Sequence, residues 1–193
     1  MRLLLVSVLA YLSACAAAKP DLPLPGPPSP VPGWDVVGRS KFMYLVSLDP
    51  DVTHEGRASV DFRYDRGWTQ DCFVPPCPET YAAFTTSFDA APFRGRRAHA
   101  VVWVRTGSTA RNPLLVKAIM QQGRVGLRVQ PRDAFPDGPW TPASVVHLRP
   151  ETDFTRYDLT VEVPDDARRI DLGVSVAPFG EAFIDPVVQI EAQ

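Results

Sequence analysis

From residue 34 onward the apolar side chains fall in short groups, and Gly, Pro and Asp separate one group from the next. Such spacing predicts strands rather than helices. The segments 41–48, 57–64, 81–88, 97–105, 114–121, 124–130, 155–163, 169–176 and 182–190 all read this way. Several alternate with the period of a half-buried strand: Val60, Phe62 and Tyr64 share one face, and Asp61 and Arg63 share the other. Only 112–122 carries a competing helical stripe, in Leu115, Ala118 and Ile119, and there a pair of strands fits equally well. Pro164-Asp165-Asp166-Ala167 reads as a turn between two strands, because Pro fixes φ and Asp bonds nearby amides. Pro186 cannot donate to a ladder, so the last strand should lie at a sheet edge or begin there. The pattern as a whole predicts an all-β sandwich of about eight or nine antiparallel strands. Residues 34–193 are numerous enough for one core, and no repeat or charge run divides them.

The first 33 residues do not share this pattern. Arg2 is followed by an apolar stretch from Leu3 to Leu12 and then by small residues, which is the layout of a signal peptide over residues 1–14. The stretch is about half the length needed to cross a bilayer as a helix, which takes ~20 residues. Leu12-Ser13-Ala14-Cys15 resembles the lipobox of bacterial lipoproteins. That resemblance implies acylation of Cys15, membrane attachment through the lipid, and a place on the periplasmic face of the outer membrane. Ala14-Cys15-Ala16 and Ala16-Ala17-Ala18 would alternatively serve as ordinary cleavage sites and release a soluble periplasmic or secreted protein. Of the chain's 21 prolines, seven lie in Pro20–Gly33, and such a tract favours an extended path of ~3.1 Å per residue. Residues 15–33 are therefore expected to space the domain from its anchor.

Four stretches carry a further resemblance. Gly33-Trp34, YLVSLDPDVTHEGRAS at Tyr44–Ser59, FRGRRAHAVVWVRT at Phe93–Thr106, and Tyr157–Ile184 with its VPDDARRIDLGV turn follow one another as in the galactose-binding-like jelly roll. This fold occurs in many carbohydrate-binding modules and in modules appended to bacterial regulators and hydrolases. The resemblance implies a jelly-roll sandwich that binds a saccharide. Calcium is often held in similar jelly rolls between an early loop and the last strand, which implies that His54-Glu55-Gly56 lies near Asp185. Asp49, Glu55 and Asp185 are then candidate ligands of a structural calcium, and solvated acidic turns are the other reading. Residues 65–80 look like an insertion relative to that pattern.

The insertion holds Cys72 and Cys77, which in an oxidising compartment should form a disulfide worth roughly 2 kcal/mol. Zinc has little support, because His54, His99 and His147 are widely scattered. Trp68, Tyr81 and Trp140 stand among polar residues and are the candidate ligand platform, since aromatic faces complement the C–H face of a sugar ring. Alternatively the two indoles cover the sandwich ends. Trp34 and Trp103 are assigned to the core. Arg94, Arg96 and Arg97 form a small basic cluster, read as a solvated turn. The net charge of −2 argues against nucleic acid as a partner. Nucleophile-elbow, metalloprotease, Walker and dinucleotide motifs are all missing, so the sequence reads as a non-catalytic binding module. A protein-interaction or scaffolding lipoprotein is the alternative, and a small hydrolase the third reading. The sequence does not fix an oligomeric state.

Overall fold

In the computed structural model, residues 26–38, 40–65, 82–108, 123–131, 142–150 and 153–193 are described. The strands among the described residues are β1 (Trp34–Val37), β2 (Tyr44–His54), β3 (Arg57–Tyr64), β4 (Ala82–Asp89), β5 (Arg96–Ser108), β6 (Arg124–Pro131), β7 (Ser144–His147), β8 (Thr155–Val163), β9 (Ala167–Val176), β10 (Gly180–Ile184) and β11 (Gln189–Ala192), and the segment 114–121 predicted as a strand lies outside the described residues. The helical residues among them are two short 3-10 turns, Lys41–Met43 and Ala91–Phe93.

The strands form two antiparallel sheets packed face to face as a jelly-roll sandwich. One sheet runs β1-β4-β9-β6-β7. The other runs β2-β3-β10-β5, with β8 on the far side of β5 and β11 continuing beside β5 after β10. Successive strands cross repeatedly between the sheets, so distant segments become neighbours on each face.

The period of two decides what lies between the sheets. Trp34, Phe84, Leu127, Leu172 and Val174 come from one side, and Tyr44, Phe62, Val102, Leu159 and Ile184 from the other. Trp34 stacks on Phe84 with ring centroids 4.8 Å apart, as its assignment to the core requires. Each large side chain buried this fully contributes about 1.5–3 kcal/mol of transfer free energy. Tyr44 is buried with its hydroxyl satisfied, because Oη donates to the Val176 carbonyl at 3.0 Å.

Several sequence expectations differ from the structure. β1 and β7 were absent from the predicted strands; each is only four residues long. The predicted strand 182–190 divides at Asp185–Val188. Between Ile184, opposite Val104, and Gln189, opposite Val101, the chain takes five steps where β5 takes three. Pro186 sits in that bulge. Thus β10 is an interior strand between β3 and β5, and β11, which follows the proline, has β5 on one side only. Trp103 is not in the core. Along β5 the alternation sends Val102 and Val104 inward and Trp103, half-buried, to the opposite face. The end of the proline-rich stretch lies against the domain, with Val31 packed on the core and its carbonyl accepting from the Trp34 amide at 3.2 Å.

Candidate functional site

Each sheet also has an outer face, and the two differ in character. On the six-stranded sheet the outward residues of β5, β8 and β11 include long charged ones. Arg97 pairs with Glu162, Arg156 with Asp158, and His99 lies between Asp158 and Glu191. Most of these side chains reach water. On the five-stranded sheet many of the outward residues are short or polar and buried, Ala83 and Thr85 on β4, Asp171, Gly173 and Ser175 on β9, and Gly126, Arg128 and Gln130 on β6, while Ser87 on β4 is exposed.

Asp171 is the centre of this second face. Register places it directly between Ser87 and Arg128 on the neighbouring strands. Its carboxylate is 1% exposed. Oδ2 accepts from Arg128 Nε at 3.0 Å, Arg128 Nη2 at 2.7 Å and Gln130 Nε2 at 2.8 Å. Oδ1 accepts from Ser87 Oγ at 2.8 Å and lies 2.7 Å from Arg169 Nε. A buried carboxylate is tolerated only when paired and hydrogen-bonded, and this one has two guanidinium partners. One row further along the strands, Gly126 faces Gly173 with Thr85 beside them. Both glycines are buried, and glycine at such positions marks close approach of another backbone or of a ligand. The arrangement supplies fixed polar groups on a rigid sheet, which is the chemistry of an oriented binding site.

Sequence reasoning did not select Asp171, Arg128, Gln130, Ser87 or Arg169. The signal that would have found them is side-chain size. Strands that face water on one side usually carry long charged residues there. β4 and β9 carry Ala83, Thr85, Ser87, Gly173 and Ser175 there beside the charged Asp89, Arg169 and Asp171.

The predicted ligand platform Trp68, Tyr81 and Trp140 lies outside the described residues, and so do Cys15, Cys72 and Cys77. Tyr81 immediately precedes β4, which supplies Ser87 to the network.

The acidic residues assigned to calcium are all described, and they do other work. Asp185 and His54 are brought together. The Asp185 carboxylate accepts from His54 Nδ1 at 2.6 Å, Arg57 Nη2 at 2.7 Å and the Val187 amide at 2.9 Å. Burial alone would raise the Asp185 pKa, but these three partners, Arg57 foremost, outweigh it and hold the carboxyl below its ordinary range. Glu55 is a turn residue: it and Gly56 both have positive φ, 48° and 78°, as a type I′ hairpin turn between β2 and β3 requires. Its carboxylate is exposed and pairs with Arg57 at 3.0 Å. Asp49 Oδ1 caps a bulge in β2 by accepting from the Asp51 and Val52 amides. Asp185 is engaged by Arg57 and His54, Glu55 by Arg57 and Asp49 by the amides of its own bulge, so the calcium assignment to Asp49, Glu55 and Asp185 does not fit these residues. Among the described residues no group of three His, Cys, Asp or Glu is arranged to hold a metal. His54 is also tied down by its ring, which packs 4.7 Å from Trp103 and 4.8 Å from Phe154.

No protein-family model and no curated protein matches the sequence. Solved structures do. The enzymatically active domain of tailspike protein 4 from bacteriophage CBA120 superposes with a TM-score of 0.56 at 15% identity, over 84% of this chain and 20% of that one. The CBM22-1–GH10 modules of Clostridium thermocellum endo-1,4-beta-D-xylanase 10B, complexed with xylohexaose, give 0.53 at 12% identity, over 83% and 26%. The CBM22-1 xylan-binding domain of Paenibacillus barcinonensis Xyn10C gives 0.52 at 10% identity, over 83% and 85%. The chain thus spans only a fifth to a quarter of the first two and nearly all of the third. At these identities the likeness is one of fold.

Proposed function

We propose that this chain is a non-catalytic saccharide-binding module, held at the bacterial envelope by acylation of Cys15 and spaced from it by the proline-rich segment. The observation that carries the reading is the Asp171-centred network on the outer face of the five-stranded sheet. The Asp171 carboxylate with donors from Arg128, Gln130 and Ser87 is a preset polar centre, and such groups orient hydroxyl-bearing ligands at low ordering cost. The fold likeness adds weight, since two of the similar structures are titled as xylan-binding or xylohexaose-bound. Trp68, Tyr81 and Trp140 complete the proposal as rings that stack on sugar C–H faces. The disulfide between Cys72 and Cys77 would hold the segment that carries Trp68.

A glycan array with the full chain tests the binding reading. Binding to at least one saccharide is expected, and it should be lost in Trp68→Ala or Trp140→Ala without a change in melting temperature. A chain that binds no glycan, yet co-purifies with an envelope complex despite both substitutions, would establish the scaffolding alternative instead. For that alternative the favouring feature is the edge strand β2, which exposes Leu45 and Leu48. Turnover of any saccharide in the panel, abolished by changing one carboxylate, would overturn the non-catalytic assignment. Radioactive palmitate should label the wild type and fail to label Cys15→Ala; persistent label would remove the anchor.

A further inference from the structure

We propose that a cleft between two turns at one end of the sandwich binds a zwitterionic phosphoethanolamine group, its phosphate held by Arg94 and Arg168 and its ammonium by Asp165 and Asp166. The Arg94-Gly95 turn that leads into β5 and the Pro164–Ala167 turn between β8 and β9 bound an open cavity of about 570 Å³, lined by these four side chains. That volume suits a small ligand. Hydrogen bonds fix the walls to one another: the Gly95 amide donates to the Val163 carbonyl at 2.8 Å, and the Ala90 amide to the Arg168 carbonyl at 3.1 Å. Arg94 Nε donates to the Ala167 carbonyl at 2.8 Å, which anchors the guanidinium and leaves its terminal Nη pair for a ligand. Gly95 has a φ of 69°, and a Cβ there would lie 3.1 Å from Asp165 Oδ1, so glycine lets that carboxylate sit close over the turn. All four charged side chains are exposed, and none of them forms an ion pair across the cavity or elsewhere. Arg97, close by in the same basic cluster, is by contrast taken up by Glu162. Two guanidiniums and two carboxylates around one space leave it without net charge, so a simple anion or a simple cation meets like charge on part of the wall. A ligand that carries both signs a few bonds apart meets opposite charge on each side. Phosphate suits the cationic side, because its oxygens can take the forks of both arginines. A primary ammonium suits the acidic side, since it has three donors for carboxylate oxygens. The proposal does not rest on the saccharide reading.

The test is calorimetric titration of the full chain with O-phosphoethanolamine, inorganic phosphate and ethanolamine. At low salt the zwitterion should bind about tenfold more tightly than either half, the size of one charge-assisted contact, and lose most of that margin in about 0.5 M NaCl. Arg168→Gln should lower its affinity towards that of ethanolamine, and Asp166→Asn towards that of phosphate, with urea unfolding unchanged because both side chains are exposed. Arg168→Lys, which keeps the charge and loses the fork, should retain part of the margin. Co-sedimentation of Cys15→Ala, which lacks the proposed acylation site, with phosphatidylcholine vesicles and with vesicles that also contain phosphatidylethanolamine identifies the carrier. Retention that requires phosphatidylethanolamine supports a lipid head group, and binding of the soluble zwitterion alone supports the same group on another carrier. Inorganic phosphate or ethanolamine binding as tightly as phosphoethanolamine would overturn the inference. So would an undiminished preference in folded Arg168→Gln and Asp166→Asn chains, or no binding of the zwitterion either in solution or on vesicles.

Discussion

Asp61 should be a carboxylate whose removal stabilises the protein. It lies on β3, on the outer face of the six-stranded sheet, between Ser47 and Phe183 in register, and is 3% exposed. Oδ2 pairs with Arg63, and the buried Oδ1 has no partner. Burial pushes its pKa up to about 6 from 3.8; Arg63 opposes this, while Glu181 and Asp49 add to it. Because the folded-state value exceeds the unfolded one, the folded protein binds the proton more tightly. Charged Asp61 therefore lowers stability at neutral pH. The penalty is complete above about 6, shrinks as pH falls, and is gone below 3.8. At ~1.4 kcal/mol per pH unit that difference corresponds to about 3 kcal/mol at most. Arg63 is partly exposed and water relaxes around it, so about 1–3 kcal/mol is the expected gain for Asp61→Asn at pH 7.5. For a domain of this size that is roughly 3–10 °C in melting temperature. The assay is thermal and urea unfolding of wild type and variant side by side at pH 7.5 and pH 4.5. The variant should be the more stable at pH 7.5, and its lead should shrink at pH 4.5. A variant less stable at pH 7.5, or a difference that does not change with pH, would refute the account of Asp61 as a desolvated charge.

Asp185 should behave in the opposite sense: its folded-state pKa is depressed, so it contributes stability above the ordinary carboxylate range, and that is lost as pH falls through the depressed value. Asp185→Asn should therefore be destabilised in urea at neutral pH and approach wild type in acid, with unequal loss at the two pH values as the check. Glu55→Asn should raise stability by up to about 1 kcal/mol in the same assay, since Asn tolerates the left-handed conformation and an exposed pair with Arg57 adds little. Asp171→Ala should cost about 3–5 kcal/mol, because it leaves Arg128 buried without its counter-charge; unfolding within about 1 kcal/mol of wild type would mean the network is solvated.

The sandwich was legible because its core obeys local rules. Val60, Phe62 and Tyr64 alternate in the sequence and line the core in the structure, and the β9 residues Ile170, Leu172 and Val174 do the same. Length set the limit. The four-residue strands β1 and β7 hold too few alternations to stand out from loops, and both exist because a longer neighbour, β4 or β6, supplies the ladder.

The candidate site was not legible for a different reason. Asp171 and Arg128 are 43 positions apart, and only register makes them cross-strand neighbours. In the sequence Asp171 looks like any outward residue of a half-exposed strand, the same reading that fits Asp61. Both turn out to be buried. What separates them is company: Asp171 has two guanidiniums, an amide and a hydroxyl on its oxygens, whereas Asp61 keeps an oxygen unmatched beside one partly exposed arginine. The calcium assignment failed on the same point from the other direction. Sequence placed His54 and Glu55 near Asp185 through the resemblance, yet it could not show that Arg57, two residues past Glu55, delivers its own cation to the spot. Where a fold brings a carboxylate and an arginine to adjacent strands, the chain fills its own charge sites.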